Sequence, residues 1–268
     1  MNDFNNKSPL RYPGGKTRAC KTLDKVLCTH FDLSLFKDIM SPFFGGGSFE
    51  FYIQNKYNLN IVANDKFTPL YSFWKSCKMN KEYLCKTLFE KIGSIEKKDF
   101  KQLRDQIMEE ASYVYQGVMY FIINRCSFSG STLSGGFSLE SSKNRFTETS
   151  VNRIKNLNLS HFEIYNLDFQ EFLNTKTSGE SSLVFLDPPY YLEKKSKLYG
   201  KNGDMHEHFD HGKLFRCLQD QKNWLMTYNN CPYIKELYKE FIIIETGWTY
   251  GMNKTKLSSE IVIIGKKK

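Results

Sequence analysis

The sequence predicts an α/β protein: a Rossmann-like, mostly parallel sheet with an antiparallel C-terminal hairpin, plus an inserted helical domain. Three observations predict it. Apolar runs bounded by turn residues alternate with helically spaced segments, as in a sheet covered by helices. The last two apolar runs, FIIIETGW (241–248) and EIVIIG (260–265), are joined by TYGMNKTKLSS, too short for a helical crossover, so they pair antiparallel. Between 67 and 150 the strand pattern gives way to amphipathic helices. Residues 1–66 and 151–268 are therefore expected to form one domain, with 67–150 inserted as a smaller one.

Taken in order, DIMSPFF (38–44) reads as a strand and GGGSFEFYIQNKY (45–57) as a glycine turn opening a helix. NIVAND (60–65) is a second strand ending in a carboxylate. KEYLCKTLFEKIG, DFKQLRDQIMEE and SYVYQGVMYFIINRC have helical spacing, and NRCSFSGSTLSGGFSLESSKNRF (124–146) is an exposed Ser/Gly-rich loop with interleaved Phe and Arg. Strands follow at FEIYNLDF (162–169), SLVFLDPPY (182–190) and NWLMTYNN (223–230). LFRCLQD (214–220) and YIKELYKE (233–240) are helices between strands.

Hydrophobic residues at 40% and aromatics at 15% are ample for a core and argue against disorder. No apolar run reaches the ~20 residues of a membrane span. The polar N-terminus lacks the apolar stretch of a signal peptide, so a cytoplasmic protein is expected. Cysteines 20, 28, 77, 85, 126, 217 and 231 are odd in number and contain no CxxC pair, which fits neither a disulfide framework nor a thiolate zinc site. Thirty-eight Lys and Arg against twenty-nine Asp and Glu give a net charge of +9. That excess suits a polyanionic partner, although a merely lysine-rich composition would look the same. Lys194, Lys195, Lys197 and Lys201 are a local cluster that a solvated loop would also show.

RYPGGKT (11–17) ends like a nucleotide-binding phosphate loop but fails its test. The required glycine would fall at position 10, which is Leu10, and no buried strand precedes it. Asp187-Pro188-Pro189-Tyr190 is sharper. A buried strand delivers a carboxylate to the carboxyl end of the sheet, where open α/β sheets bind ligands. Two prolines remove two N–H donors and leave carbonyls free, and an aromatic ring follows. These parts suit an exocyclic amine on a flat base. Asp187 accepts one N–H, the Pro188 carbonyl accepts the other, and Tyr190 stacks on the ring. The amine lone pair is otherwise delocalised into the ring, and two acceptors favour the pyramidal form that can attack.

Phe43-Phe44-Gly45-Gly46-Gly47-Ser48 lies between strand and helix, where a cofactor can approach the backbone. The third glycine of the dinucleotide fingerprint would be Glu50, which weakens a nicotinamide reading. Asp65 can hold ribose hydroxyls or cap the helix starting near Phe67, and Asp168 is equally two-sided. His206, Glu207, His208, Asp210 and His211 spell HEHFDH rather than HExxH, so no metal is expected, and Asp210 fits a helix N-cap.

Together these segments resemble the Dam-type DNA adenine-N6 methyltransferase family, from about Pro9 to Gly265. RYPGGK is similar to its N-terminal cofactor segment, SPFFGGGS to its glycine motif and DPPY to its catalytic motif, in the same order. The resemblance implies S-adenosyl-L-methionine as cofactor, with Tyr12 and Lys16 meeting it and Lys16 near its carboxylate. Phe43, Gly45 and Gly47 would approach the methionine portion. Asp65 would take the ribose hydroxyls, Asp168 the adenine amine, and Asp187 would border both cofactor and target base. Asn124-Arg125 resembles the start of the family's DNA-contacting loop, with Phe128, Gly130, Gly136, Phe137 and Arg145-Phe146 further along it. Lys194, Lys195, Asn253 and Lys254 would face phosphates. Position 41 is Ser where the family often has Glu.

The expected activity is methyl transfer to N6 of a flipped-out adenine in double-stranded DNA by a monomer or weak dimer, without metal or membrane. An N4-cytosine or RNA methyltransferase, and a non-catalytic DNA-binding relative, are the alternatives.

Overall fold

The apolar runs become seven strands: β1 (Asp38–Ser41), β2 (Asn60–Asn64), β3 (Phe162–Tyr165), β4 (Ser182–Leu186), β5 (Trp224–Asn229), β6 (Phe241–Thr246) and β7 (Glu260–Lys267). The computed structural model describes residues 4–176, 179–191, 209–247 and 259–268. All seven strands lie in one sheet, ordered β3-β2-β1-β4-β5-β7-β6. The first five are parallel, and β7 runs antiparallel between β5 and β6. The final hairpin thus forms as expected, but its second strand is inserted inside the sheet and its first becomes the edge. Burial explains the order, because Ile261, Val262, Ile263 and Ile264 are fully buried while β6 is only partly so.

The strands are covered on both faces, as near-continuous apolar runs require. Successive side chains of β1 take opposite faces. Ile39 joins a core that includes Leu23, Phe49 and Leu183, whereas Met40 joins one with Val184, Met226 and Ile263. Among the described residues the α-helices are α1 (Cys20–His30), α2 (Ser48–Tyr57), α3 (Thr68–Met79), α4 (Lys81–Lys91), α5 (Lys97–Gln106), α6 (Tyr113–Cys126), α7 (Leu139–Asn144), α8 (Glu148–Lys155) and α9 (Phe169–Thr175), followed by His211–Leu218 and Pro232–Leu237.

The helical segment α3–α8 shares the core of the sheet's first face. Trp74 of α3 packs on Phe44, Phe51 and Phe162, and Phe73 stacks on Phe121 of α6 at 5.6 Å. The strand order reverses between β1 and β4. Chains leaving those two strands diverge to opposite sides and open a crevice at their carboxyl ends, where ligands of such sheets bind. Both sharp motifs lie at that crevice.

Candidate functional site

The glycine turn leaves β1 and enters α2. Gly45 and Gly47 have φ of 51° and 65°, which L side chains rarely adopt. Space forbids a side chain as well: a Cβ on Gly47 would lie 2.3 Å from the Phe44 ring, and one on Gly45 would lie 2.7 Å from the Tyr12 ring. Asp65, just past β2, anchors this turn. One carboxylate oxygen accepts the Gly45 N–H and the other the Phe67 N–H, each at 2.9 Å. Burial raises its pKa to about 6, against the pull of those two N–H groups. The Gly45 carbonyl in turn accepts from the Trp74 indole at 2.9 Å, tying the turn to α3.

The 11–16 segment folds over this turn. Gly14 takes φ 73°, and the Gly15 N–H donates to the Tyr12 carbonyl at 3.1 Å. That geometry directs Lys16 inward, where it is 4% exposed. Its ammonium donates to the Gly14 carbonyl at 3.0 Å and to Asp187 Oδ2 at 2.6 Å, and lies 5.2 Å from the Tyr190 ring centre. The lysine of RYPGGKT therefore answers a carboxylate of its own chain.

Asp187 is gripped from its other side by a residue that no motif marks in the sequence. Thr227 Oγ1, fully buried on β5, donates to Asp187 Oδ1 at 2.6 Å. Thr227 looked like one more position in an apolar strand. Pro188 is buried and Pro189 half-buried. Tyr190 stacks on Tyr228, with centroids 5.7 Å apart, and donates its O–H to the buried Glu260 at 2.6 Å. Asn229 donates to the Tyr191 carbonyl at 2.8 Å and so steadies the end of the motif.

Asp168 caps α9 through the Gln170 N–H at 3.1 Å and faces Lys66 at 2.9 Å and Lys213 at 3.5 Å. Partial burial pushes its pKa up, but the Lys66 hydrogen bond, the Gln170 N–H and the two lysine charges outweigh it and hold the group below the usual carboxylate range. Phe43 lies beside it, against Phe169 and Phe209 at 5.6 Å each. Asp210 caps the helix His211–Leu218 by accepting the Lys213 N–H at 2.7 Å. His211 pairs through Nδ1 with the Tyr228 hydroxyl.

Two residues expected on the DNA face lie inside the protein. Asn124 is 0% and Arg125 5% exposed. Asn124 grips both backbone groups of Arg11: its Oδ1 accepts the N–H at 3.0 Å and its Nδ2 donates to the carbonyl at 2.7 Å. Arg125 donates to the Pro9 carbonyl and lies over the Phe121 ring. Burial, then the charges of Arg153, Arg11 and Arg145, lowers the Arg125 pKa to about 10. The outer surface of the loop instead shows Arg145, exposed, and Phe128, 68% exposed. Lys194, Lys195, Lys197, Lys201, His206, Glu207, His208, Asn253 and Lys254 lie outside the described residues.

A sequence model of the family described as D12 class N6 adenine-specific DNA methyltransferase matches residues 12–252. The type II methyltransferase M.MjaIII of Methanocaldococcus jannaschii is 25% identical over 260 residues, spanning 87% of this chain and 88% of that protein.

Proposed function

This chain belongs to the D12 class N6 adenine-specific DNA methyltransferase family, and from that membership we propose that the crevice between β1 and β4 holds S-adenosylmethionine and a flipped-out adenine side by side. The observation that carries the reading is the Asp187 carboxylate, brought by β4 to the open end of the sheet and hydrogen-bonded at both oxygens. The residues present fit such a cofactor. The Tyr12 ring packed on the glycine turn offers a flat apolar wall, and Asp65 and Asp168 supply acceptors for hydroxyl and amino groups. Lys16 and Phe43 complete its surroundings. When bound, the cofactor supplies a methyl group on an electron-poor sulfonium.

The remaining work falls to the chain. Lys16 and Thr227 fix Asp187 in one orientation, and each carboxylate oxygen keeps a lone pair for a further donor. Asp187 accepts one N–H of the target amine and the Pro188 carbonyl the other, aiming the nitrogen lone pair. Tyr190, held by Glu260 and Tyr228, stacks on the base. Holding the partners in line supplies the main acceleration. The base must leave the duplex, at a cost of a few kcal/mol. Phe128 is the exposed aromatic on the loop that fills the vacated stack. Arg145 and the lysines of 194–195 and 254 meet phosphates, and the target is a defined DNA site.

The test is methyl transfer from labelled cofactor to unmethylated DNA, with digestion to nucleosides. N6-methyl-2′-deoxyadenosine in the digest, lost in Asp187→Ala with DNA binding largely kept, is the expected result. Label in cytosine, or undiminished turnover by Asp187→Ala, sinks the proposal.

A further inference from the structure

Asn124 and Arg125 lie in the last turn of α6, just before the loop that carries Phe128, yet the Asn124 amide and one Arg125 guanidinium nitrogen bond residues 9–11. The contact is dense. Asn124 satisfies both backbone groups of Arg11, in the manner of a neighbouring strand. Arg125 holds the Pro9 carbonyl. From the loop side, the Arg11 guanidinium donates to the Ser127 carbonyl at 3.4 Å and to Ser141 Oγ at 3.3 Å. Gly130, at φ 74°, lies so close that a Cβ there would sit 2.8 Å from the Arg11 carbonyl. Residues 9–11 are thus clamped to the end of α6 and the turn after it.

The same segment delivers Lys16. Arg11 is followed at once by Tyr12, whose ring fills the space above the glycine turn, and by the tight turn that points Lys16 at Asp187. Residues 8–15 contain no helix or strand to locate them. Backbone of that kind is placed by the groups that satisfy its N–H and C=O. Asn124 supplies two of those bonds from a side chain that is fully buried and carries no charge.

We propose that Asn124, with Arg125 beside it, is a positioning residue for methyl transfer: it fixes the segment that carries Tyr12 and Lys16 and does not itself read DNA. The proposal rests on the catalytic reading above. It reverses the role that the resemblance implied for these two side chains, and the two roles predict opposite results.

The variant is Asn124→Asp, which keeps the shape but places a carboxylate oxygen against the Arg11 carbonyl. Amide hydrogen exchange over residues 10–17 in the protein alone is expected to speed up by at least about tenfold, the loss of roughly one to two hydrogen bonds. Calorimetry with S-adenosylhomocysteine should show weaker binding by a similar factor, and kcat should fall with it. The dissociation constant for DNA and its salt dependence should stay within about twofold. Asn124→Ala, which removes both bonds to Arg11 without adding a charge, should reproduce the same pattern if Asn124→Asp folds poorly. Unchanged exchange and cofactor affinity, with DNA affinity or site choice lost, would overturn the proposal. Failure of the wild-type protein to bind S-adenosylhomocysteine would instead remove the cofactor reading, while the exchange experiment still judges the clamp.

Discussion

Glu50 shows how a single side chain can be at odds with its surroundings. It sits in the first turn of α2, 2% exposed, and accepts the Ser41 hydroxyl at 2.6 Å. Burial, with the charge of Asp187 adding to it, raises its pKa to about 7 against the pull of Ser41 and Lys16. A carboxyl raised in the folded state favours folding while protonated. Its contribution is whole below the ordinary value of 4.5 and is lost as pH rises through about 7. The loss is on the order of 3 kcal/mol. Glu50→Gln should therefore stabilise the free protein at about pH 8.5 and much less at about pH 5.5. Denaturant unfolding at both pH values checks this, and an equal gain or loss at the two would refute it. At the same scale DPPY and the glycine run were readable because few residue types serve there. Thr227, Glu260 and Glu50 were not, because a threonine or glutamate in an apolar stretch acquires meaning only from a partner, here 40 residues away for Thr227 and 70 for Glu260.

Elements obey their local patterns more faithfully. Every strand and helix named from periodicity forms within a few residues of its expected span, since alternation and helical spacing are local properties. The loop after α6 is the element whose role depends most on exposure. Its inward side is fixed by the Arg11 clamp, while Phe128 stands 68% exposed on its outward side. A large aromatic left in water on such a loop is suited to enter a base stack. Phe128→Ala should leave the melting temperature nearly unchanged and lower kcat/KM by about tenfold to a hundredfold. Fluorescence of 2-aminopurine at the target position reports flipping directly. An undiminished signal in Phe128→Ala would exclude the loop from that step.

Across the whole molecule the charge excess is +9, and no described helix is long and apolar enough to cross a membrane. A basic protein that neutralises DNA phosphates releases counterions, so affinity falls linearly on a log–log plot against salt, by roughly 0.9 per phosphate contact. Several such contacts are expected here, with the slope nearly the same for Asp187→Ala, because that carboxylate is proposed to meet a base and not a phosphate. Filter-binding or anisotropy titrations over a range of salt measure it. A flat response would mean that the basic surface serves something other than DNA.

The amino-acid order by itself determined the α/β class, the C-terminal hairpin, the glycine turn and the DPPY carboxylate, because each rests on residues adjacent in the chain. Tertiary structure alone decided that β7 enters the sheet between β5 and β6, that Lys16 and Thr227 converge on Asp187, and that Asn124 and Arg125 turn inward to hold residues 9–11. The reason is range. Propensity and periodicity act over a few residues, whereas a buried polar atom takes the partner that packing brings to it, however far away in sequence.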